Sequence, residues 1–154
     1  MEKGSLRLET LSLKDEQMKI ESRIGKSSQK DEAIYHFITD FRNFQDLIPQ
    51  GRVSEWKASE DRCSFKVSPV GLIGLILVEK EAFKCVKLMS DPGIASYQFT
   101  IWIQLKQIAE NNTRIKITIE PKVSQMMIPM LKGPLKQLAD TLVTKMEGYH
   151  FPEP

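Results

Sequence analysis

The sequence predicts an α+β domain: an antiparallel meander with one buried face, preceded by a strand and two short helices and closed by a long helix. Three observations carry this. Between Gly51 and Pro121, short runs that alternate apolar and polar residues are separated by turns bearing Asn, Gly or Pro. Before them, Ile34, Phe37, Ile38 and Phe41 recur at helical spacing. After them, Met127, Leu131, Leu135, Leu138, Leu142 and Met146 form one continuous apolar stripe.

In chain order, residues 1–17 stand apart as a leader. Leu6, Leu8, Leu11 and Leu13 are spread among polar residues in a pattern between alternation and a weak helix. The leader is either an arm on the body or a stretch upstream of a start at Met18. The run M-K-I-E-S-R-I-G-K then alternates as a strand. Ser27 or Ser28 is placed to cap a helix, with Asp31 and Glu32 in its first turn where the helix dipole favours carboxylates. A second short helix carries Phe44, Leu47 and Ile48 and ends at Pro49 and Gly51.

The strands follow: Val53–Ala58, Cys63–Val67, Leu72–Phe83, Cys85–Met89, Ser96–Gln107 and Thr113–Glu120. The fifth alternates most clearly, with Tyr97, Phe99, Ile101, Ile103 and Leu105 on one face and Gln98, Thr100, Trp102, Gln104 and Lys106 on the other. In the sixth, Ile115, Ile117 and Ile119 oppose Arg114, Lys116 and Thr118. The last helix runs from about Ser124 to Gly148, and Pro129 and Gly133-Pro134 predict a kink or break near 129–134.

Composition bounds the function. A chain of 154 residues is one domain, able to bury roughly 68–70% of its unfolded surface without a metal or disulfide. A net charge of +2, with basic residues mixed among acids, offers no stripe for a phosphate backbone, so no nucleic-acid partner is expected. Cys63 and Cys85 lie 22 positions apart without a CxxC, and His36 and His150 are far from each other, so neither a metal nor another cofactor is predicted. The N-terminus has no uninterrupted apolar core of a secretory signal, and no stretch approaches the length of a membrane span. Cytoplasm is the compartment that follows.

The segment M-K-I-E-S-R-I-G-K-S-S-Q-K-D-E-A-I-Y-H-F-I-T-D-F-R-N-F is similar to the opening of the START-like, or SRPBCC, superfamily. There a strand runs into a helix ending in F-x-N-[FW]. The run P-L-K-Q-L-A-D-T-L-V-T-K-M resembles its terminal helix. The superfamily includes birch-pollen-allergen-like proteins, polyketide cyclases and lipid-transfer domains. The resemblance covers residues 18–150, leaving 151–154 as a tail. It implies a helix-grip fold, a curved antiparallel sheet of about six to seven strands wrapped around the long C-terminal helix. Between them it implies an apolar cavity for lipids, sterols or other hydrophobic small molecules. No catalytic motif accompanies it, so it speaks to fold more than to activity.

Several residues could carry chemistry. Met126, Met127 and Met130 either line an adaptable cavity or fill an irregular core beside the kink. Glu79 and Glu81, about 7 Å apart on one strand, form an acid–base pair if buried or a solvated ladder if not. They share parity with Ile73, Leu75, Leu77 and Phe83, which leaves their face open. His36 projects sideways or outward from its helix and lacks a partner to orient it. Gly71-Leu-Ile-Gly74 lacks the lysine and hydroxyl of a phosphate loop. Trp102, on the polar face of its strand, is covered by the leader or belongs to a partner or homodimer surface. Trp56 could point into the cavity with Ser54 and Ala58.

The expected function is therefore binding of a hydrophobic small molecule, lipid-like or polycyclic, between the sheet and the last helix. The lining predicted from strand parity is Trp56, Phe65, Tyr97, Phe99, Ile101, Ile117, Met127, Met130, Leu131 and Leu138. Access would be gated by Phe44–Pro49 and the start of the last helix. One alternative is a polyketide-cyclase- or aromatase-like enzyme using a cavity carboxylate or Tyr97. A second is an interaction module resembling the activator of the Hsp90 ATPase, working through the outer sheet and Trp102.

Overall fold

The isoleucines of the last predicted strand do face one way. In a computed structural model describing residues 19–49, 51–94 and 97–154, Ile115, Ile117 and Ile119 are all buried on the inner face of a curved antiparallel sheet. The leader 1–17, Met18 and the Ser96 start of the fifth meander strand lie outside the described residues. The elements are β1 (Ile20–Glu21), β2 (Gly25–Ser27), α1 (Asp31–Ile38), a 3-10 helix (Phe41–Leu47), β3 (Val53–Ala58), β4 (Arg62–Val67), β5 (Gly71–Glu81), β6 (Cys85–Ser90), β7 (Phe99–Ala109), β8 (Asn112–Pro121) and α2 (Ile128–Gly148). The sheet order is β1-β8-β7-β6-β5-β4-β3, with β2 also on β8.

The first predicted strand is split in two. At the break, the Ser22 hydroxyl accepts a hydrogen bond from the Ile117 N–H at 2.8 Å, while the Ser22 N–H donates to the Ile117 carbonyl. The Arg23 N–H turns away to Asp140 Oδ1, 2.8 Å off on α2. Pairing resumes at Gly25 opposite Ile115. Gly25 is required there, because a Cβ would overlap Val143 Cγ1 of the crossing helix.

Neither Ser27 nor Ser28 caps α1. Helical geometry starts only at Asp31, and the cap position, Lys30, offers no side-chain bond. Gln107 of β7 accepts from the Asp31 N–H instead, at 3.0 Å, so the helix start is satisfied from the sheet. The second short helix is a 3-10 helix, opened by the Asp40 carboxylate accepting from the Arg42 N–H at 2.9 Å.

Two β-bulges reset side-chain parity. On β3, Ser54 pairs with Lys66 and Lys57 with Ser64, so Glu55 and Trp56 together oppose one residue. Glu55 takes the left-handed conformation, φ 56°. The extra residue puts Val53, Trp56 and Ala58 on one face and leaves Ser54 exposed, against the expected Ser54-Trp56-Ala58 set. On β5, Leu77 opposes Leu88 but Glu79 opposes Lys87, with Val78 the inserted residue. Glu79 and Glu81 consequently face solvent, and Glu79 lies 3.8 Å from Lys87.

The last helix begins later than predicted. Ser124–Met127 form a turn closed by the Met127 N–H on the Ser124 carbonyl, and α2 then continues unbroken from Ile128 to Gly148. Pro129 falls in the first turn, where no N–H is needed, and Pro134 is carried inside the helix. The packed body extends past 150. Phe151 is fully buried against Phe37 and Tyr149, and Gln29 bonds both its N–H and its carbonyl.

Candidate functional site

Between the inner face of the sheet and the middle of α2 lies a cavity of about 60 Å³. The 3-10 helix and the residue after it contribute Phe41, Phe44 and Ile48; β3 and β4 contribute Val53, Trp56, Cys63 and Phe65; α2 contributes Leu138, Ala139 and Leu142. Leu75, Leu88, Ile101, Ile103, Ile117 and Ile119 complete the wall from β5 to β8. Each strand residue owes its place to alternation, and Trp56 to the bulge. Phe44, Trp56 and Phe65 make a continuous aromatic run. Phe44 and Trp56 are near parallel with centroids 6.4 Å apart, and Trp56 and Phe65 are 5.5 Å apart.

None of these wall side chains is a carboxylate, imidazole or phenol. The one that titrates is Cys63, whose thiol burial pushes up to about 12, with the Leu75 backbone N–H as the lesser, opposing influence. It stays protonated and is a poor nucleophile at neutral pH. The arrangement can desolvate an apolar group, and among the described residues it brings no acid–base pair to the cavity.

No family model matches the sequence, and no curated protein matches it. Solved structures do. A START superfamily protein from Mycobacterium smegmatis superposes with a TM-score of 0.65 and 11% identity, over 84% of this chain and 94% of that one. The chain has the START-like, helix-grip fold. A Thermus thermophilus protein matches similarly, with a TM-score of 0.64, 12% identity and the same two coverages. A conserved Geobacillus kaustophilus protein reaches 0.61 at 16% identity, over 80% of this chain and 90% of that one. At such identities START-like describes the fold, and the chemistry must be read from this chain's own side chains.

Of the residues picked out by parity, Trp56, Phe65, Ile101, Ile117 and Leu138 stand on the cavity wall. Phe99 and Leu131 are buried elsewhere in the core, and Tyr97 is half-buried with its ring edge-on to Phe99. Met127 is half-buried against the core, Met130 is 49% exposed and Met126, in the preceding turn, is 91% exposed. The α2 residues that face the cavity, Leu138, Ala139 and Leu142, lie in its middle turns, so Met127 at its start and Met130 in its first turn fall beyond the cavity. Wall residues that parity alone could have added are Leu75, Ile103 and Ile119. Phe41 and Cys63 carried no signal that set them apart from other core residues.

The remaining candidates lie elsewhere. His36 is exposed, its ring near Tyr35 and Phe83. Trp102 is half-buried on the outer face between Lys19 and Lys87, each ammonium 5.9 Å from the ring centre. Cys85 is half-buried on the same face; burial, then Glu81 and Glu79, push its thiol up. No helix among the described residues is long and apolar enough to cross a membrane.

Proposed function

We propose that this protein is a binding module that holds a hydrophobic small molecule in the cavity between its sheet and α2. The observation that carries the reading is the wall itself: hydrocarbon and aromatic side chains from every layer of the fold converge on one space, and Cys63 is the only group among them that titrates. Association would be driven by removing apolar surface from water. Trp56, Phe65, Ile101, Ile117 and Leu138 are the expected ligand contacts from the sequence, joined by Phe44, Leu88 and Leu142. The acid–base alternative has no support at this site, since Glu79, Glu81 and Tyr97 are all off the wall.

Native mass spectrometry of the protein as purified from cells, paired with denaturing extraction, tests the reading. A stoichiometric apolar passenger that is lost in a Leu88→Asp or Leu138→Asp variant with retained circular dichroism supports it. A bare mass, together with no saturable uptake of fluorescent apolar probes, would overturn it and turn attention to the outer face around Trp102.

A further inference from the structure

We infer that the outward face of the first half of α2 is a docking surface for an acidic amphipathic helix of a partner protein. The inference is independent of the cavity and stands whether or not a guest is held there.

A surface helix ordinarily carries one apolar stripe, and α2 has its own: Leu131, Leu135 and Leu138 are buried beneath it. In its first half a second apolar stripe faces away from the body. Met126, in the turn before the helix, is 91% exposed, more than any other large apolar side chain among the described residues. Pro129, Met130 and Gly133 follow, all exposed, at i+3, i+4 and i+7. Farther along the helix the exposed residues are polar, as at Gln137, Thr144 and Lys145. The outward stripe thus serves nothing inside the domain, and exposed apolar surface of this kind marks an interaction site. Methionine suits it, because its flexible thioether adapts to the surface it meets. A Cβ on Gly133 would find nothing within 4 Å, so a second helix can approach closely there.

Charge says what covers the stripe. From Pro121 to Ala139 the chain has three lysines and no carboxylate. Lys136 is engaged, by Asp140 at 3.3 Å and by the Glu21 carbonyl at 2.8 Å. Lys122 and Lys132 are exposed and make no ion pair among the described residues. Arg52 is held alongside by its bond to the Gln137 side chain and likewise has no carboxylate partner there. These cations stand beside the stripe without balancing acids, although the whole chain is only +2. A second copy would bring the same positive charge to a two-fold contact, which disfavours it. A bilayer fits less well, since residues 121–139 hold no Trp, Tyr or Phe anchor and the free cations number fewer than the roughly four to eight of lipid-binding basic clusters. A partner helix with an apolar stripe flanked by Asp and Glu matches both the methionines and the cations.

The test uses the full chain and two fluorescein-labelled helical peptides that share one leucine stripe, one flanked by glutamates and the other by lysines. Fluorescence anisotropy should show saturable, salt-sensitive binding of the glutamate peptide, and binding of the lysine peptide at least about tenfold weaker. Met126→Asp and Met130→Asp should each weaken the glutamate peptide about tenfold or more. Met126 is exposed enough for its variant to keep the fold, which circular dichroism verifies. Ile108→Asp, at an exposed apolar side chain near the β7–β8 turn, should leave the affinity unchanged. Equal binding of the two peptides overturns the inference, as does an affinity that neither methionine variant lowers or that Ile108→Asp lowers equally. Absence of saturable peptide binding overturns it too. Flotation with phosphatidylserine vesicles would then give the face to a membrane, and a dimer lost in Met130→Asp would give it to a second copy. None of these outcomes bears on the cavity, whose reading stands or falls on the bound passenger.

Discussion

Trp56 lies almost flat against Phe44, with ring centroids 6.4 Å apart and planes inclined by 17°. One residue belongs to an edge strand and the other to the 3-10 helix, so this stack ties the rim of the sheet to the segment that covers it. Trp56 is half-buried and also meets Phe65. Trp56→Ala should cost about 2–3 kcal/mol, below the range for fully buried aromatics because part of the ring already faces water. Urea unfolding would measure it. A loss under about 1 kcal/mol would mean that the stack contributes little.

The backbone beneath that ring makes a separate prediction. Glu55 holds φ 56°, a conformation that costs an ordinary residue roughly 1–2 kcal/mol and glycine almost nothing. Its side chain gives back only an exposed pair with Lys66, at 3.0 Å. Glu55→Gly should therefore leave stability equal or raised, while Glu55→Val should lower it by about 1–2 kcal/mol. The reverse order in thermal unfolding would mean that the bulge is not held in this form.

How much of this could be seen in the sequence depends on whether the cause was local. Alternation on β7 and β8 was legible because no bulge interrupts the stretch that lines the core, and Ile103 and Ile117 face inward as parity requires. The faces of Ser54, Glu79 and Glu81 were not, since one inserted residue on each strand inverts everything after it, and neither Glu55 nor Val78 advertises a bulge. The α1 cap was misread for a related reason. Ser27 and Ser28 fit the local rule, but the acceptor for Asp31 is Gln107, 76 residues away. The cavity was half legible: its strand walls follow from parity, but which turn of α2 meets it depends on how the helix crosses the sheet, which no local pattern encodes.

The crossing of β2 and α2 tests close packing. A Cβ on Gly25 would overlap Val143 Cγ1 and lie 3.2 Å from Glu147 Cγ. Gly25→Ala should destabilise by about 1–3 kcal/mol, and Val143→Ala should recover part of that when combined with it, although alone it opens a void. A thermodynamic cycle by denaturant titration measures the coupling. Strict additivity would show that the two sites do not touch.

Glu147, at the same crossing, gives the acid side of the stability profile. Its carboxylate pairs with the Arg23 guanidinium and accepts from the Lys26 N–H at 2.7 Å. Arg23 first, then the Lys26 N–H, hold its carboxyl below the usual glutamate range. A depressed folded-state value means that the stabilisation is present above the ordinary range and is lost as pH falls through the folded value. With both side chains partly exposed, the gain is modest, under about 1 kcal/mol. Glu147→Gln should be less stable than the parent near neutral pH and should converge with it in acid. A gap independent of pH would assign the effect to packing.

Cys63 gives the alkaline side, and its sign is opposite. Burial pushes the thiol from the usual value near 9 to about 12, so between these values the unfolded chain has lost its proton while the folded chain keeps it. The unfolded state then binds fewer protons, and stability falls as pH rises through that window. Cys63→Val keeps the apolar character of the wall but removes the titration, so its unfolding midpoint should decline less than the parent's between about pH 9 and about pH 12. The same burial predicts reactivity: in the native protein Cys85 should react with a disulfide reagent before Cys63, and Cys63 should become fast only in denaturant. An apolar guest gives a further handle, because filling the cavity should slow Cys63 labelling while leaving Cys85, on the outer face, unchanged. Mass spectrometry of the labelled peptides over time measures both sites together, and equal protection of the two thiols would show a general loss of opening rather than occupancy of this cavity.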